Sequence, residues 1–182
     1  MTHAPSDRLR VLAVDPISRG VGYAILEGCG HLVEWGVSHT RRANNAECLK
    51  RVAALIAQYD PEVLVLEDNT DPRCRRRPRV RDLLIQLKAL ATTRQLRCCR
   101  ISWRAVRKRF GDVALTKYAI AERLADRFPE LAIRLPPRRK AWVSEDVRMS
   151  LFEAVALALA GAERAGRHSA ATLPLPHDAQ HV

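Results

Sequence analysis

Asp15, Glu67 and Glu153 are acids in places where acid is costly. Asp15 closes the apolar run Arg10–Val14, and Glu67 closes Val63-Leu64-Val65-Leu66, a run of strand length. Glu153 interrupts an otherwise apolar stretch, Ser150-Leu151-Phe152-Glu153-Ala154-Val155-Ala156-Leu157. A carboxylate taken out of water must be paired, bound to a cation or exposed in a cleft, because the uncompensated charge is expensive. Two unrelated strands that each end in an acid point to one shared site, and Glu153 joins it if its helix faces the same cleft. Asp146 is a fourth candidate. On a helix starting at Glu145 it would share a face with Glu153, about 20° away around the axis and roughly 10 Å along it. Three or four carboxylates converging on a phosphate-binding cleft suit two-metal phosphodiester cleavage, with ions about 4 Å apart. Hard oxygen ligands favour Mg²⁺, two ions being expected, with Mn²⁺ as a substitute. Ordinary roles stay open: an Asx turn at Asp15, an exposed strand end at Glu67, an arginine partner for Glu153, and helix-dipole acids at Glu145 and Asp146.

The elements that must position these acids can be read from periodicity. Arg10–Val14, Gly20–Leu26 and His31–Ser38 read as an antiparallel meander, with Pro16-Ile17-Ser18-Arg19 as its first turn. Asn44 or Asn45 caps a helix whose apolar positions run from Leu49 to Tyr59, and Asp60-Pro61 stops it. Val63–Leu66 reads as a strand buried on both faces. A loop from Asp71 to Arg81 leads into a helix running to about Leu96, with Leu83, Leu84, Leu87, Leu90 and Ala91 on its apolar face. A short strand at Cys98–Ser102 follows, then helices at Trp103–Phe110 and Thr116–Phe128 and a rigid basic loop at Pro136–Lys140. Ser144 caps a last helix from Glu145 to about Arg164. The expected fold is α/β, a mixed five-stranded sheet of antiparallel meander plus parallel strands, flanked by helices. Right-handed crossovers then bring the carboxyl ends of the first and fourth strands side by side.

Charge names the partner class. The 182 residues carry 31 basic against 20 acidic side chains, a net +11, and 26 of the basic residues are arginine, whose planar donor fork matches phosphate. An arginine-rich proteome is the plain alternative. Arg73, Arg75, Arg76, Arg77, Arg79 and Arg81 directly follow the Glu67 strand and would rim its cleft, while Arg138, Arg139 and Lys140 precede the last helix and would border the opposite side. Phosphate contacts are their natural role. Trp103 and Trp142 could stack on unpaired bases or pack in the ordinary way. The five cysteines form no CxxC pair and read as reduced packing residues. A polar start and the lack of a bilayer-length apolar run lead us to expect a cytoplasmic protein with no membrane partner.

Val11-Leu12-Ala13-Val14-Asp15-Pro16-Ile17-Ser18-Arg19-Gly20-Val21-Gly22-Tyr23-Ala24-Ile25 is similar to the opening motif of the RuvC-type Holliday-junction resolvases, members of the ribonuclease H-like superfamily. Val63–Asp68 resembles the family's second motif, with Glu67 in the metal-ligand place. Phe152–Ala158 resembles the closing motif, with Glu153 for the usual aspartate. Residues 1–8 read as a flexible N-terminus, and the polar, Pro- and His-containing end reads as a disordered tail at 165–182. The resemblance implies a ribonuclease H-like nuclease domain over residues 9–164. It implies a Mg²⁺-dependent endonuclease acting on branched DNA in recombination and repair, and a homodimer that places two nicks symmetrically. Lys117 is similar in place to a lysine used near the scissile phosphate. The helix Arg81–Leu96 would serve as dimer interface or simply cover the sheet. Three departures stand out: Ile17 for a glycine, Glu153 for an aspartate, and Ser150 where many members carry an acid or a histidine. They leave open a second reading, a catalytically weakened nucleic-acid binding or scaffolding module.

Overall fold

The computed structural model describes residues 9–28, 30–42, 44–70, 76–112, 115–140 and 142–171. The strands are β1 (Arg10–Ile17), β2 (Gly20–Glu27), β3 (His31–His39), β4 (Val63–Glu67) and β5 (Arg97–Ile101). The helices are α1 (Asn45–Tyr59), α2 (Pro78–Thr93), α3 (Trp103–Arg109), α4 (Lys117–Arg127), α5 (Pro129–Ala132) and α6 (Met149–Ala171). The strands form one sheet in the order β3-β2-β1-β4-β5, with β1, β2 and β3 antiparallel and β1, β4 and β5 parallel. This is the mixed five-stranded sheet expected from the sequence.

Period-two alternation assigns each strand residue to a face. Leu12, Val14, Leu64 and Leu66 pack under α1 and α2 with Val52, Leu83 and Leu87. Val11, Ala13, Val63 and Val65 face the other way, against α6 and the helices α3 and α4 that cover it. Residues 15 and 67 fall on the second face by the same alternation. Helix α6 is buried all round from Leu151 to Ala160, since it lies between sheet and helices and has no solvent side there. Its small residues permit close approach: a Cβ on Gly161 would come within 2.4 Å of a Val65 methyl.

Capping residues set several element ends. Asn44 accepts from the amides of Ala46 and Glu47 to start α1, and Asp60, in the left-handed conformation at φ 45°, ends it. Ser102 and Thr116 cap α3 and α4 in the same manner. Four expectations need correction. The first turn is Ser18-Arg19 alone, because β1 stays paired as far as Ile17 opposite Gly20. Pro16 is tolerated in β1 because the pairing with β4 has already ended at Val14 opposite Leu66. Helix α2 starts at Pro78, its first-turn proline, and stops at Thr93 rather than near Leu96. The last helix begins at Met149 rather than Glu145, and Ser144 does not cap it. Tight turns fill the interval, with the Met149 amide donating to the Asp146 carbonyl at 2.9 Å. At its other end α6 continues to Ala171, so the first seven residues of the segment expected to be a disordered tail are helical. Alanine-rich sequence sustains it past Gly166. The rest of that tail and residues 1–8 lie outside the described residues.

Helix α2 directs Val80, Leu83, Leu84, Leu87 and Ala91 into the core, so its apolar face covers the sheet. Cys48, Cys98 and Cys99 are free thiols. No helix among the described residues is long and apolar enough to cross a membrane.

Candidate active site

The parallel pairing of β1 with β4 places Val14 opposite Leu66, so the next residue on each strand of the α6 side brings Asp15 and Glu67 together. Helix α6 crosses this end of the sheet and adds Glu153. All three carboxylates are buried, with 1%, 6% and 3% of their surface exposed.

A single guanidinium joins them. Arg76 donates from Nη2 to Asp15 Oδ1 at 2.6 Å, from Nε to Glu67 Oε2 at 2.6 Å, and from Nη2 to Glu153 Oε2 at 3.3 Å. Its Nη1 also reaches the Pro16 carbonyl at 3.3 Å. On the far side of Glu153, Lys117 Nζ donates to Oε1 at 2.5 Å and lies 3.7 Å from Glu145 Oε2. Its ammonium sits over the Trp103 ring, 5.3 Å from the centroid.

Burial dominates the electrostatics. It pushes the Asp15 carboxyl well above the ordinary range, and the neighbouring Glu153 adds to the shift beyond what Arg76 withdraws. Burial also raises Glu153, against the pull of Lys117 and Arg76. For Arg76 and Lys117 burial acts downward, but the carboxylates around them outweigh it and hold both cations protonated.

A cleft of about 610 Å³ opens over Asp15, Arg76 and Glu153, with Arg77 and Ser150 on its walls. A second depression of about 780 Å³ runs beside it past Lys117, Arg138 and Arg139, and the two share Glu145 and Asp146. Of the expected basic residues, Arg138 lies over the Tyr118 ring and pairs with Glu122 at 3.2 Å, and Lys140 sits over the exposed Trp142. Arg139 donates to the Val143 carbonyl at 2.6 Å. Arg77 and Arg81 are exposed. Arg79 turns inward and donates to the carbonyls of Ile17 and Ser18, tethering the β1–β2 turn instead of meeting solvent. Arg73 and Arg75 lie outside the described residues.

Asp146 stands apart from the three acids. Its carboxylate accepts from the Arg148 amide at 2.9 Å and from the Arg148 guanidinium at 2.7 and 3.0 Å, which hold it below the usual carboxylate range. The shared helical face expected for Asp146 and Glu153 is lost with the helix turn it assumed. Ser150, one turn before Glu153, donates its hydroxyl to the Val147 carbonyl at 2.7 Å. Spacing gave no sign of Arg76 at the centre of the site. The only signal was physical: three buried acids need a cation, and an arginine-rich loop follows Glu67 directly.

Hard carboxylate oxygens are the donor set that Mg²⁺ prefers, and Asp15 Oδ2 is buried without a hydrogen-bond partner among the described residues. The donor chemistry therefore suits a divalent cation. Among the described residues no three His, Cys, Asp or Glu side chains converge closely enough to chelate one ion, the space between the acids being held by Arg76.

Neither a family model nor a curated protein matches the sequence. Solved structures do match. Thermus thermophilus RuvC superposes with a TM-score of 0.62 at 20% identity, covering 87% of this chain and 96% of that one. This chain has the RuvC fold. Thermus thermophilus RuvC in complex with Holliday junction substrate gives 0.65 at 16% identity, over 88% and 97% of the two chains. The yeast mitochondrial Holliday junction resolvase Ydc2 gives 0.56 at 11% identity, over 87% and 80%. The ribonuclease H-like sheet of the RuvC fold is thus present, with its flanking helices, across most of the described chain.

Proposed function

We propose that the chain is a metal-dependent endonuclease that cuts the backbone of branched DNA, acting as a homodimer that resolves Holliday junctions by paired nicks. The observation that carries this reading is the meeting of buried Asp15, Glu67 and Glu153, from three separate elements, around Arg76, with Asp15 and Glu153 opening onto an arginine-lined cleft beside the depression that holds Lys117. The fold shared with a RuvC solved on Holliday junction substrate supports it.

Asp15, Glu67 and Glu153 would hold Mg²⁺, or Mn²⁺ in its place, with Asp146 at the rim of the cleft as an outer group. The bound metal would supply Lewis acidity, activating water and stabilising the leaving oxygen. Lys117, oriented by Glu153, Glu145 and the Trp103 ring, holds a positive charge in the depression beside the cleft, where it can meet a phosphate oxygen. Arg77, Arg81, Arg138, Arg139 and Lys140 fix the backbone in register without reading sequence.

The test is nicking of an end-labelled synthetic four-way junction in Mg²⁺ at fixed salt, beside a linear duplex of the same sequence. Paired, Mg²⁺-dependent nicks in the junction alone are expected. Tight junction binding with no nicking in any divalent metal would replace this reading by the weakened binding module. Ser150 favours that second reading, since its hydroxyl is spent on the Val147 carbonyl and leaves the site three carboxylates.

Binding gives a separate check. Replacing Arg138, Arg139 and Lys140 together by alanine should weaken all sequences alike and flatten log K against log salt by about 0.9 for each phosphate that is no longer neutralised. An unchanged salt slope would remove this loop from the DNA path.

A further inference from the structure

Three carboxylates meet two cationic side chains at this site, and one of those cations, Arg76, stands among all three acids. Its side chain is 20% exposed, while those it contacts are 1%, 8% and 4% exposed. Arg76 arrives from the segment just before α2, the end of the arginine-rich loop, whereas the acids are fixed on β1, β4 and α6. A guanidinium tied at three points by charge-assisted hydrogen bonds is a strong local counter-ion. It also occupies the space a divalent cation would need, and two cations cannot share it.

We infer that Arg76 is a resident counter-ion which a divalent metal must displace, so that metal loading and the outward release of this loop's arginine are one event. This deepens the nuclease reading and rests on it. The charges are consistent with such an exchange: among the described residues three buried carboxylates face two positive side chains, one of which, Lys117, is shared with Glu145, so an excess of negative charge remains for a divalent cation to offset. The remaining arginine contact, to the Pro16 carbonyl, is neutral and at 3.3 Å does not prevent departure. Because only the fraction of molecules with Arg76 withdrawn can accept metal, apparent affinity is lowered by that fraction. The acids therefore stay paired with Arg76 at low metal, and half-loading needs a proportionately higher metal concentration.

The experiment is Mn²⁺ binding to the full chain, read from the loss of the free-ion electron paramagnetic resonance signal, for wild type, Arg76→Gln and Asp15→Asn. Arg76→Gln should bind Mn²⁺ about tenfold more tightly or better, and Asp15→Asn should lose the site. Equal affinity in wild type and Arg76→Gln overturns the counter-ion role while leaving the metal site in place. Absence of Asp15-dependent binding in both overturns the nuclease reading along with it. Should Arg76→Gln not fold, wild type alone decides through phenylglyoxal labelling and peptide mapping. Arg76 should be protected without metal and react once Mg²⁺ is added, and reactivity that ignores Mg²⁺ overturns the inference.

Discussion

Asp15→Asn is expected to abolish nicking and, at the same time, to raise the melting temperature of the metal-free protein. On the proposed reading Asp15 would be a direct metal ligand, whose loss should cost more than the roughly 10- to 100-fold typical of outer-shell partners. The gain in stability comes from the same burial. Asp15 is 1% exposed, its Oδ2 accepts no hydrogen bond from the described residues, and Glu153 stands nearby. Asn keeps an acceptor for Arg76 and removes the charge, leaving two carboxylates to two cations. Arg76 keeps Glu67 and Glu153 as partners once the Asp15 charge is removed, so the change relieves an excess of buried negative charge without leaving a cation unpaired. The pH dependence has a definite sign. Burial raises the folded pKa of Asp15 above the unfolded value of about 3.9, so the folded state binds the extra proton. The stability this confers on wild type is complete below the unfolded pKa and disappears as pH rises through the folded one. The melting gap in favour of Asp15→Asn should thus be small in acid and widen toward neutral pH. Thermal melts of both proteins in EDTA across that range measure it, and a variant no more stable than wild type at neutral pH would contradict the account.

Gly22→Ala should have the largest structural effect. Gly22 sits opposite Asp15 in the sheet, and a Cβ there would come within 2.3 Å of the Ser150 carbonyl oxygen and 2.4 Å of its carbon. Both are backbone, so relief requires moving the start of α6 away from β2. Overpacking of this kind costs about 1–3 kcal/mol, and Glu153, one turn beyond Ser150, moves with it. We expect a melting temperature lowered by several degrees and nicking reduced at saturating Mg²⁺. Gly166→Ala is the control, since its Cβ meets nothing within 4 Å on an exposed helix face, where alanine favours helix. A Gly22→Ala protein as stable and active as wild type would mean that α6 does not fix the position of Glu153.

The sheet was legible in the sequence because each strand carries its own signal. The runs ending in Asp15 and Glu67, and Asn44 ahead of a helical repeat, depend only on neighbours in the chain. So did the placement of Asp15 beside Glu67, which follows from the handedness of crossovers. The start of α6 was not legible: Ser144-Glu145-Asp146 has the composition of a helix N-terminus, but Asp146 binds Arg148 and turns the chain instead. Helix periodicity carried back from Glu153 could not detect that local competition. The fates of Arg76 and Arg79 were hidden for another reason. Six arginines between positions 73 and 81 look alike in sequence, and which of the described ones turns inward is decided by acids and carbonyls that only the tertiary structure brings near.

The acids of the site come from positions 15, 67 and 153, on the first strand, the fourth strand and the last helix. Their meeting is therefore a contact of high sequence separation, among the last to form in a folding chain, because long loops must close before such pairing is rewarded. A nascent chain still lacking α6 carries the sheet acids without Glu153, and its arginines are free to touch nucleic acid before the cleft exists. On the proposed nuclease reading, synthesis order would keep the chain from cutting until α6 has docked. Binding without cleavage would mark folding intermediates, and the appearance of nuclease activity during refolding would time the arrival of α6 on the sheet.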